Sequence, residues 1–152
     1  MYFIKKIIGG FVKDVIKQGF SSDKNLIDKW HIISGSGLDS CVNKTIEDLK
    51  TQTFSDFKFF VVLNDEEFIG YFGVENEGKY LTTIFIAPEF RNNKKEFLKL
   101  IAPYVQDTFE SAIYSKNIPC MRFFNKLGKE KSKFIVDGHE ATLFTFEKKG
   151  LG

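Results

Sequence analysis

The first third of the chain is patterned for helices. Apolar residues recur every three to four positions over residues 3–16, with lysines on the opposite side, and this spacing predicts an amphipathic first helix. Asp23 is a suitable N-terminal cap for a second short helix, which the Ser-Gly-Ser-Gly segment at 34–37 ends. A third short helix is predicted over residues 43–51. Together these helices form a predicted helical region, residues 1–57.

From residue 58 onward the pattern changes to the apolar runs typical of strands. Polar turn residues at 64–67 predict a hairpin, and Pro88 ends a later strand because proline lacks the amide that a sheet needs. A helix, a strand and another helix follow, and a hairpin with its turn at 137–138 closes the chain. The predicted strands are 59–63, 68–75, 80–87, 111–115, 133–136 and 141–147, and the predicted helices are 97–105 and 118–127. The sequence therefore predicts an α/β fold with a mixed sheet core over residues 58–147.

Amino-acid composition and net charge narrow the classes of protein to which the chain can belong. The 152 residues are 43% hydrophobic and 28% charged, which suits one globular domain over residues 1–152. The 18 phenylalanines indicate an aromatic core, with an adhesive interface as the alternative. A net charge of +2 without clustered basic residues makes nucleic-acid binding unexpected. Cys41 and Cys120 are the only cysteines, so we expect a reduced, cytoplasmic compartment. Neither a membrane segment nor a metal site is expected, since lysines interrupt the first apolar runs and no ligand spacing occurs.

Residues 117–128 read Asn-Ile-Pro-Cys-Met-Arg-Phe-Phe-Asn-Lys-Leu-Gly. This segment resembles motif B of the GNAT acyltransferases, N-x-x-A-x-x-x-Y-x-x-L-G, whose helix packs beside the pantetheine arm of coenzyme A. Asn117 and Gly128 are in register with that motif, whereas Cys120 replaces the usual Ala and Phe124 the usual Tyr. The order of predicted elements is also that of the family. The resemblance therefore implies a GNAT-like acyl-CoA N-acyltransferase fold, with acetyl-CoA as the cofactor.

Residues 86–91, Ile-Ala-Pro-Glu-Phe-Arg, are similar to the end of the motif A strand in that family. A glycine-rich loop and a helix N-terminus then hold the pyrophosphate through backbone amides. Here Lys94 and Glu96 stand where the two glycines would fall, and Glu96 would repel phosphate unless it is turned away. Direct charge contacts could replace the loop, and a solvated basic loop is the alternative. The cofactor-binding residues implied are Phe85, Ile86, Arg91, Asn92, Asn93, Lys94, Lys95, Asn117 and Phe124.

The resemblance also implies that strands 80–87 and 111–115 diverge to admit the pantetheine. Phe85 and Ile86 would lend backbone groups to its amides, and Asn117 would lie at the opening between the strands. The residues themselves predict a further role for Asn117 as the N-cap of the helix that follows, because Asn is a favoured cap and Pro119 suits a first turn. The two roles can coexist.

Catalysis of acetyl transfer needs a base for the amine and often an acid for the departing thiolate. Phe124 has no hydroxyl, which leaves Tyr114 and Cys120 as candidate acids, with ordinary core roles as the alternative for both. The strand that would face the substrate carries Thr82 and Thr83 rather than a carboxylate, so no base is evident. Acetyl transfer needs no side-chain base if the site positions the reactants and water relays the proton.

Two functions stay open. The first is an N-acetyltransferase that acts on an unknown amine, as the two motifs imply. The second is a catalytically inactive GNAT-fold module that binds a protein partner or its own copies, which the loss of the loop glycines, the tyrosine and the strand carboxylate favours. The chain is also similar to short GNAT-like proteins of tailed bacteriophages that lack the glycine loop. That resemblance implies a bacterial or host cytoplasmic location, or association with the virion.

Overall fold

A seven-stranded mixed sheet organises residues 1–50 and 56–152, the part of the chain that this computed structural model describes. The strands are β1 (Tyr2–Ile7), β2 (Lys58–Asn64), β3 (Glu67–Glu75), β4 (Tyr80–Ile86), β5 (Thr108–Tyr114), β6 (Lys129–Val136) and β7 (His139–Glu147). They lie in the order β1-β2-β3-β4-β5-β7-β6. Neighbouring strands are antiparallel except β4 and β5, which are parallel. The centre of the sheet is therefore the place where two parallel strands end at the same edge.

Helices cover both faces of this sheet. They are α1 (Phe11–Ser22), α2 (Lys24–Ser34), α3 (Gly37–Lys50), α4 (Lys94–Ile101) and α5 (Ile118–Leu127), with 3-10 turns at Pro88–Asn93, Ala102–Tyr104 and Lys148–Leu151. Side chains alternate along a strand, so Tyr71 of β3 packs with α1 and α3 whereas Phe72 packs with α4 and α5. Two buried clusters result, one on each face.

The predicted first helix is wrong over its first half. Residues Tyr2–Ile7 form β1, an edge strand that pairs antiparallel with β2, and α1 begins only at Phe11. The apolar positions that fit a helix also fit a strand, because Ile4 packs with the α4 cluster and Ile7 with the α1 cluster on the opposite face. Gly9, with a φ of 60°, turns the chain between the strand and the helix.

The other predicted elements are present with shifted ends. Helix α3 begins at Gly37 rather than at residue 43, and the predicted end of that helix at Thr51 lies outside the described residues. Helix α4 covers Lys94–Ile101 instead of 97–105, because its last predicted turn is a 3-10 turn that contains Pro103. Helix α5 has the predicted bounds. The described phenylalanines of β2 and β7 confirm the aromatic core, since Phe59, Phe60, Phe144 and Phe146 are all buried.

Candidate functional site

The two parallel strands at the centre of the sheet touch at one end and then separate. Among the described residues, β4 and β5 form a single bridge, between Tyr80 and Glu110. Ser111 extends this contact by one residue, since its Oγ donates a hydrogen bond to Leu81 O at 2.6 Å. Beyond this point a cavity of about 800 Å³ opens between the strands, which we call the β4–β5 cleft. This is the divergence that the resemblance implies.

Strand β4 carries an extra residue where the cleft begins. Gly73 pairs with Thr83 and Val74 with Leu81, so Thr82 is a β-bulge without a partner in β3. The Thr82 side chain lines the cleft, and its buried Oγ1 has no hydrogen-bond partner among the described residues. A buried hydroxyl without a partner is costly, so this atom is suited to a polar group of a ligand.

The bulge also decides which backbone groups face the cleft. Ala87 N–H donates to Ile69 O at 2.9 Å, so by alternation the Phe85 backbone faces β3 and the Ile86 backbone faces the cleft. Phe85 also lines the cleft, and its ring stacks on Tyr71 and Phe68. Ile86 O accepts a hydrogen bond from Arg91 Nε at 3.0 Å. Of the two neighbours expected to offer backbone groups to the cleft, only Ile86 therefore has its backbone on that side.

The β4–β5 cleft reaches both faces of the sheet. On the face that carries α1 to α3, its walls include Trp30, Asp48 and Leu49. On the opposite face, α5 contributes Cys120 and Phe123. A ligand in this space would lie between the two strands and contact helices on both sides of the sheet.

Two basic side chains of the segment after β4 make specific contacts with other parts of the fold. Arg91 donates through Nη2 to Asp23 Oδ2 at 2.6 Å. Lys94 opens α4, lines the cleft and places its ammonium 4.8 Å from the centre of the Phe123 ring, a cation–π contact. Glu96 lies 3.7 Å from Lys99 Nζ in an exposed ion pair and does not line the cleft. The Glu96 carboxylate, which would repel a phosphate in the cleft, is thus turned away from the cleft.

Three of the residues implied as cofactor ligands lie away from this space. Asn92, Asn93 and Lys95 are exposed and do not line the cleft, whereas Arg91 and Lys94 do. The difference follows from the local structure, since Pro88–Asn93 form a 3-10 turn and Lys94 opens α4, and successive side chains of both point to different sides. Within this segment, Arg91 and Lys94 are therefore the charged side chains that line the cleft.

The start of α5 differs from one sequence prediction. Asn117 occupies the N-cap position and lines the cleft, but its side chain makes no hydrogen bond to the amides of the helix, so side-chain capping is wrong. The Asn117 side chain is near enough to the Cys120 thiol to act on its pKa. Burial raises the pKa of Cys120, although Lys29, Arg91 and Lys94 are close enough to lower it in part. Cys120 is therefore a protonated thiol at neutral pH.

Phe124 belongs mainly to the hydrophobic core, whereas Tyr114 belongs to the lining of the cleft. Phe124 is almost fully buried, and its ring packs edge-to-face on Phe144 and Phe146, with one side on the cleft. Tyr114 lies at the end of β5, lines the cleft and donates its hydroxyl to Asp48 Oδ2 at 3.0 Å. Burial and the charge of Asp48 raise the pKa of Tyr114 to about 12, so the phenol keeps its proton at neutral pH.

Asp48 belongs to a polar network that the sequence did not reveal. Its Oδ1 accepts from Lys44 Nζ at 2.8 Å, and Lys44 also pairs with Asp137 in the β6–β7 turn. Burial lowers the pKa of Lys44, but the hydrogen bonds to Asp137 and Asp48 outweigh this and raise it overall. The spacing of Lys44 and Asp48 on one helix is a signal for an ion pair, yet it carries no information about the contact with Tyr114.

The described part of the chain shows neither a metal cluster nor a membrane-spanning helix. Within residues 1–50 and 56–152, no group of three or more His, Cys, Asp or Glu side chains could hold a metal ion. No helix in these ranges combines the length and apolar character needed to cross a membrane.

Comparison with known proteins relates the fold to one family. No protein-family model matches the chain, and no curated protein matches it by sequence. Solved structures do match over almost the whole chain. A protein assigned to the GNAT family of acetyltransferases, from Desulfovibrio desulfuricans, is 13% identical with a TM-score of 0.63, and the match covers 97% of this chain and 99% of that one. The chain therefore has the GNAT acyl-CoA N-acyltransferase fold.

Two further matches are complexes with the coenzyme. The N-acetyltransferase PseH from Campylobacter jejuni, in complex with acetyl coenzyme A, is 14% identical with a TM-score of 0.51, covering 97% of this chain and 99% of that one. The aminoglycoside acetyltransferase AAC(6')-Ib, in complex with coenzyme A, is 10% identical with a TM-score of 0.60, covering 99% and 96%. At these identities the similarity establishes the fold alone.

Proposed function

We propose that this protein is an N-acetyltransferase that transfers the acetyl group of acetyl-CoA to an amine. The observation that carries the proposal is the β4–β5 cleft, which opens directly after the bridge between Tyr80 and Glu110. Strands that separate in this way leave backbone groups unpaired in the interior, and a ligand with amides along its length can bind them. The pantetheine arm of coenzyme A is such a ligand.

The residues around the cleft fit the coenzyme in three respects. The Ile86 N–H faces the space between the strands, and Thr82 Oγ1 offers a hydroxyl without a partner among the described residues. Arg91 and Lys94 supply positive charge at the end of β4, where the phosphates would bind to side chains instead of loop amides. Asn117, Phe85 and Phe124 complete the proposed cofactor site. Asn92, Asn93 and Lys95 would contribute only from its exposed rim.

The chemistry joins a thioester and an amine. Acetyl-CoA supplies an activated acetyl group; a C–N bond forms, the C–S bond breaks, the amine loses a proton and the thiolate gains one. Tyr114 is the proposed proton donor, because its phenol lines the cleft and stays protonated. Asp48 accepts the Tyr114 hydrogen bond and thereby fixes the orientation of the hydroxyl. Cys120 is the second candidate, since its protonated thiol lines the same cleft.

A direct test incubates the protein with acetyl-CoA and a mixture of primary amines and detects acetylated amines by mass spectrometry. The proposal predicts a product that depends on both the protein and acetyl-CoA. Heat-treated protein is the control for spontaneous transfer. The absence of any acetylated amine, across monoamines, polyamines, aminoglycosides and amino sugars, would contradict it.

A second function is favoured by the segment after β4. Lys94 and Glu96 stand at the positions of the two loop glycines, so the chain lacks the amide cradle for pyrophosphate. The alternative is a GNAT-fold protein without catalysis that binds a protein partner or its own copies, in the bacterial or host cytoplasm or on a phage particle. Binding of coenzyme A without acetyl transfer, or no binding at all, would favour this alternative.

A further inference from the structure

Two carboxylates line the β4–β5 cleft within the described residues, and both are already engaged. Asp23 accepts from Arg91 at 2.6 Å and from the amides of Asn25 and Leu26 at the start of α2. Asp48 accepts from Lys44 at 2.8 Å and from Tyr114 at 3.0 Å. An ammonium group entering the cleft would have to compete with these contacts to gain an ionic partner.

The cationic side chains that line the cleft outnumber its carboxylates within the described residues. They are Lys29, Arg91 and Lys94, and all three are close enough to act on the Cys120 thiol. Before coenzyme binds, these three cations and two carboxylates leave the cleft with more positive than negative charge, so a ligand with several ammonium groups would bind more weakly.

The wall on the α2 and α3 side is apolar and partly aromatic. The ring of Trp30 packs edge-to-face on Tyr114 at 5.5 Å and on Phe20 at 5.7 Å, which holds it in one orientation. Leu49, Phe134 and Val136 line the same cleft, and the Phe134 side chain is 41% exposed. Such a surface gains free energy when a flat apolar group displaces water from it.

We infer that the amine acceptor is a monoamine with an apolar or aromatic body, and that polyamines and aminoglycosides are poor acceptors. The inference rests on the proposed acetyltransferase function and names its substrate class. A single amine can lose its proton before attack and bury its body against Trp30 and Phe134. Each further ammonium group would enter the cleft without a free carboxylate, at a desolvation cost that nothing offsets.

The test compares amines that differ by one charge. Hexylamine, hexamethylenediamine and phenethylamine are titrated calorimetrically into the protein, with and without saturating coenzyme A. We expect both monoamines to bind, and hexamethylenediamine to bind at least about tenfold more weakly than hexylamine. Equal or tighter binding of the diamine, or no binding of either monoamine, would overturn the inference.

A pair of neighbouring substitutions adds a control within the chain. Phe134→Asp places a new carboxylate in the cleft wall, and we expect it to narrow or reverse the preference for hexylamine. Ile135→Asp adds the same charge one residue further on, where the side chain is 69% exposed and does not line the cleft, and we expect no change. An equal effect of both substitutions would contradict the assignment of Phe134 to the cleft wall.

The same titrations separate this inference from the proposed function. A separate titration with coenzyme A alone decides whether the coenzyme binds. If coenzyme A fails to bind but hexylamine still binds better than the diamine, the transferase proposal fails while the assigned amine site stands. If coenzyme A binds and the diamine is preferred, the substrate class is wrong and the transferase proposal survives.

Discussion

Asp23 and Arg91 lie 68 residues apart in the sequence, and Arg91 Nη2 donates to Asp23 Oδ2 at 2.6 Å. The other carboxylate oxygen of Asp23 accepts from the amides of Asn25 and Leu26 and so caps α2. Arg91 Nε meanwhile donates to Ile86 O at the end of β4. One buried carboxylate therefore both starts α2 and fixes this helix beside the β4–β5 cleft.

This double role predicts a graded loss of stability. Asp23→Ala removes the cap and leaves Arg91 without its partner, and we expect the free energy of unfolding to fall by about 2 kcal/mol. Asp23→Asn keeps an acceptor for the amides, so it should cost less. Urea unfolding measures both variants against Asp28→Asn, an exposed aspartate on the same helix. An Asp23→Ala protein as stable as the Asp28→Asn control would contradict this account.

Gly128 is required by close packing. Its backbone, with φ of −140° and ψ of −163°, is extended and open to any residue. A Cβ at this position, however, would lie 2.5 Å from Thr145 O and 2.6 Å from the Phe146 ring. Gly128→Ala should therefore lower the free energy of unfolding by about 1–3 kcal/mol, as overpacking does. Gly10→Ala is the control for thermal and urea unfolding, because nothing lies within 4 Å of a Cβ there.

Tyr114 is expected to affect the rate and not the binding of the coenzyme. If its phenol protonates the departing thiolate, Tyr114→Phe should lower kcat about a hundredfold and leave KM for acetyl-CoA unchanged. Tyr104→Phe serves as the control, because its ring packs on Phe60 and Phe72 in the core. Full activity of Tyr114→Phe would remove this residue from the mechanism and direct attention to Cys120.

The same tyrosine makes stability depend on pH in the alkaline range. Its pKa is raised from 10 to about 12 by burial and by Asp48, so between these values the folded chain binds more protons than the unfolded chain. The free energy of unfolding must then fall as pH rises from about 10 to 12. In urea unfolding at several pH values, the free energy of unfolding of Tyr114→Phe should fall less steeply with pH than that of the wild type. Identical slopes would contradict the raised pKa.

The sequence predicted most of the sheet because its signals are local. The strands from residue 58 onward are bounded by Pro, Gly and polar turn residues, and α5 is bounded by Asn117 and Gly128. The helix predicted over residues 2–7 is wrong because their apolar spacing fits both the helical and the strand period. Pairing with β2 makes this segment a strand. Such pairing is a contact between segments far apart, which a single sequence does not encode in any local pattern.

The candidate site was predictable only in part for the same reason. Arg91, Lys94 and Tyr114 were recognised from motifs or position, and all three line the cleft. The pairing of Arg91 with Asp23 and of Tyr114 with Asp48 depends on how α2 and α3 pack over the sheet. Asn117 holds the N-cap position without a side-chain hydrogen bond to the helix, so residue type predicted the position and not the contact.

The proposed function requires acetyl-CoA to bind in the β4–β5 cleft, and a calorimetric titration measures this binding. We predict binding in the micromolar range for the wild type and its loss in Lys94→Glu, because that charge reversal lies in the cleft. Lys99→Glu is the control and should bind like the wild type, since Lys99 is an exposed lysine of the same helix and does not line the cleft. Absence of heat at hundreds of micromolar acetyl-CoA, or equal loss in both variants, would contradict the account.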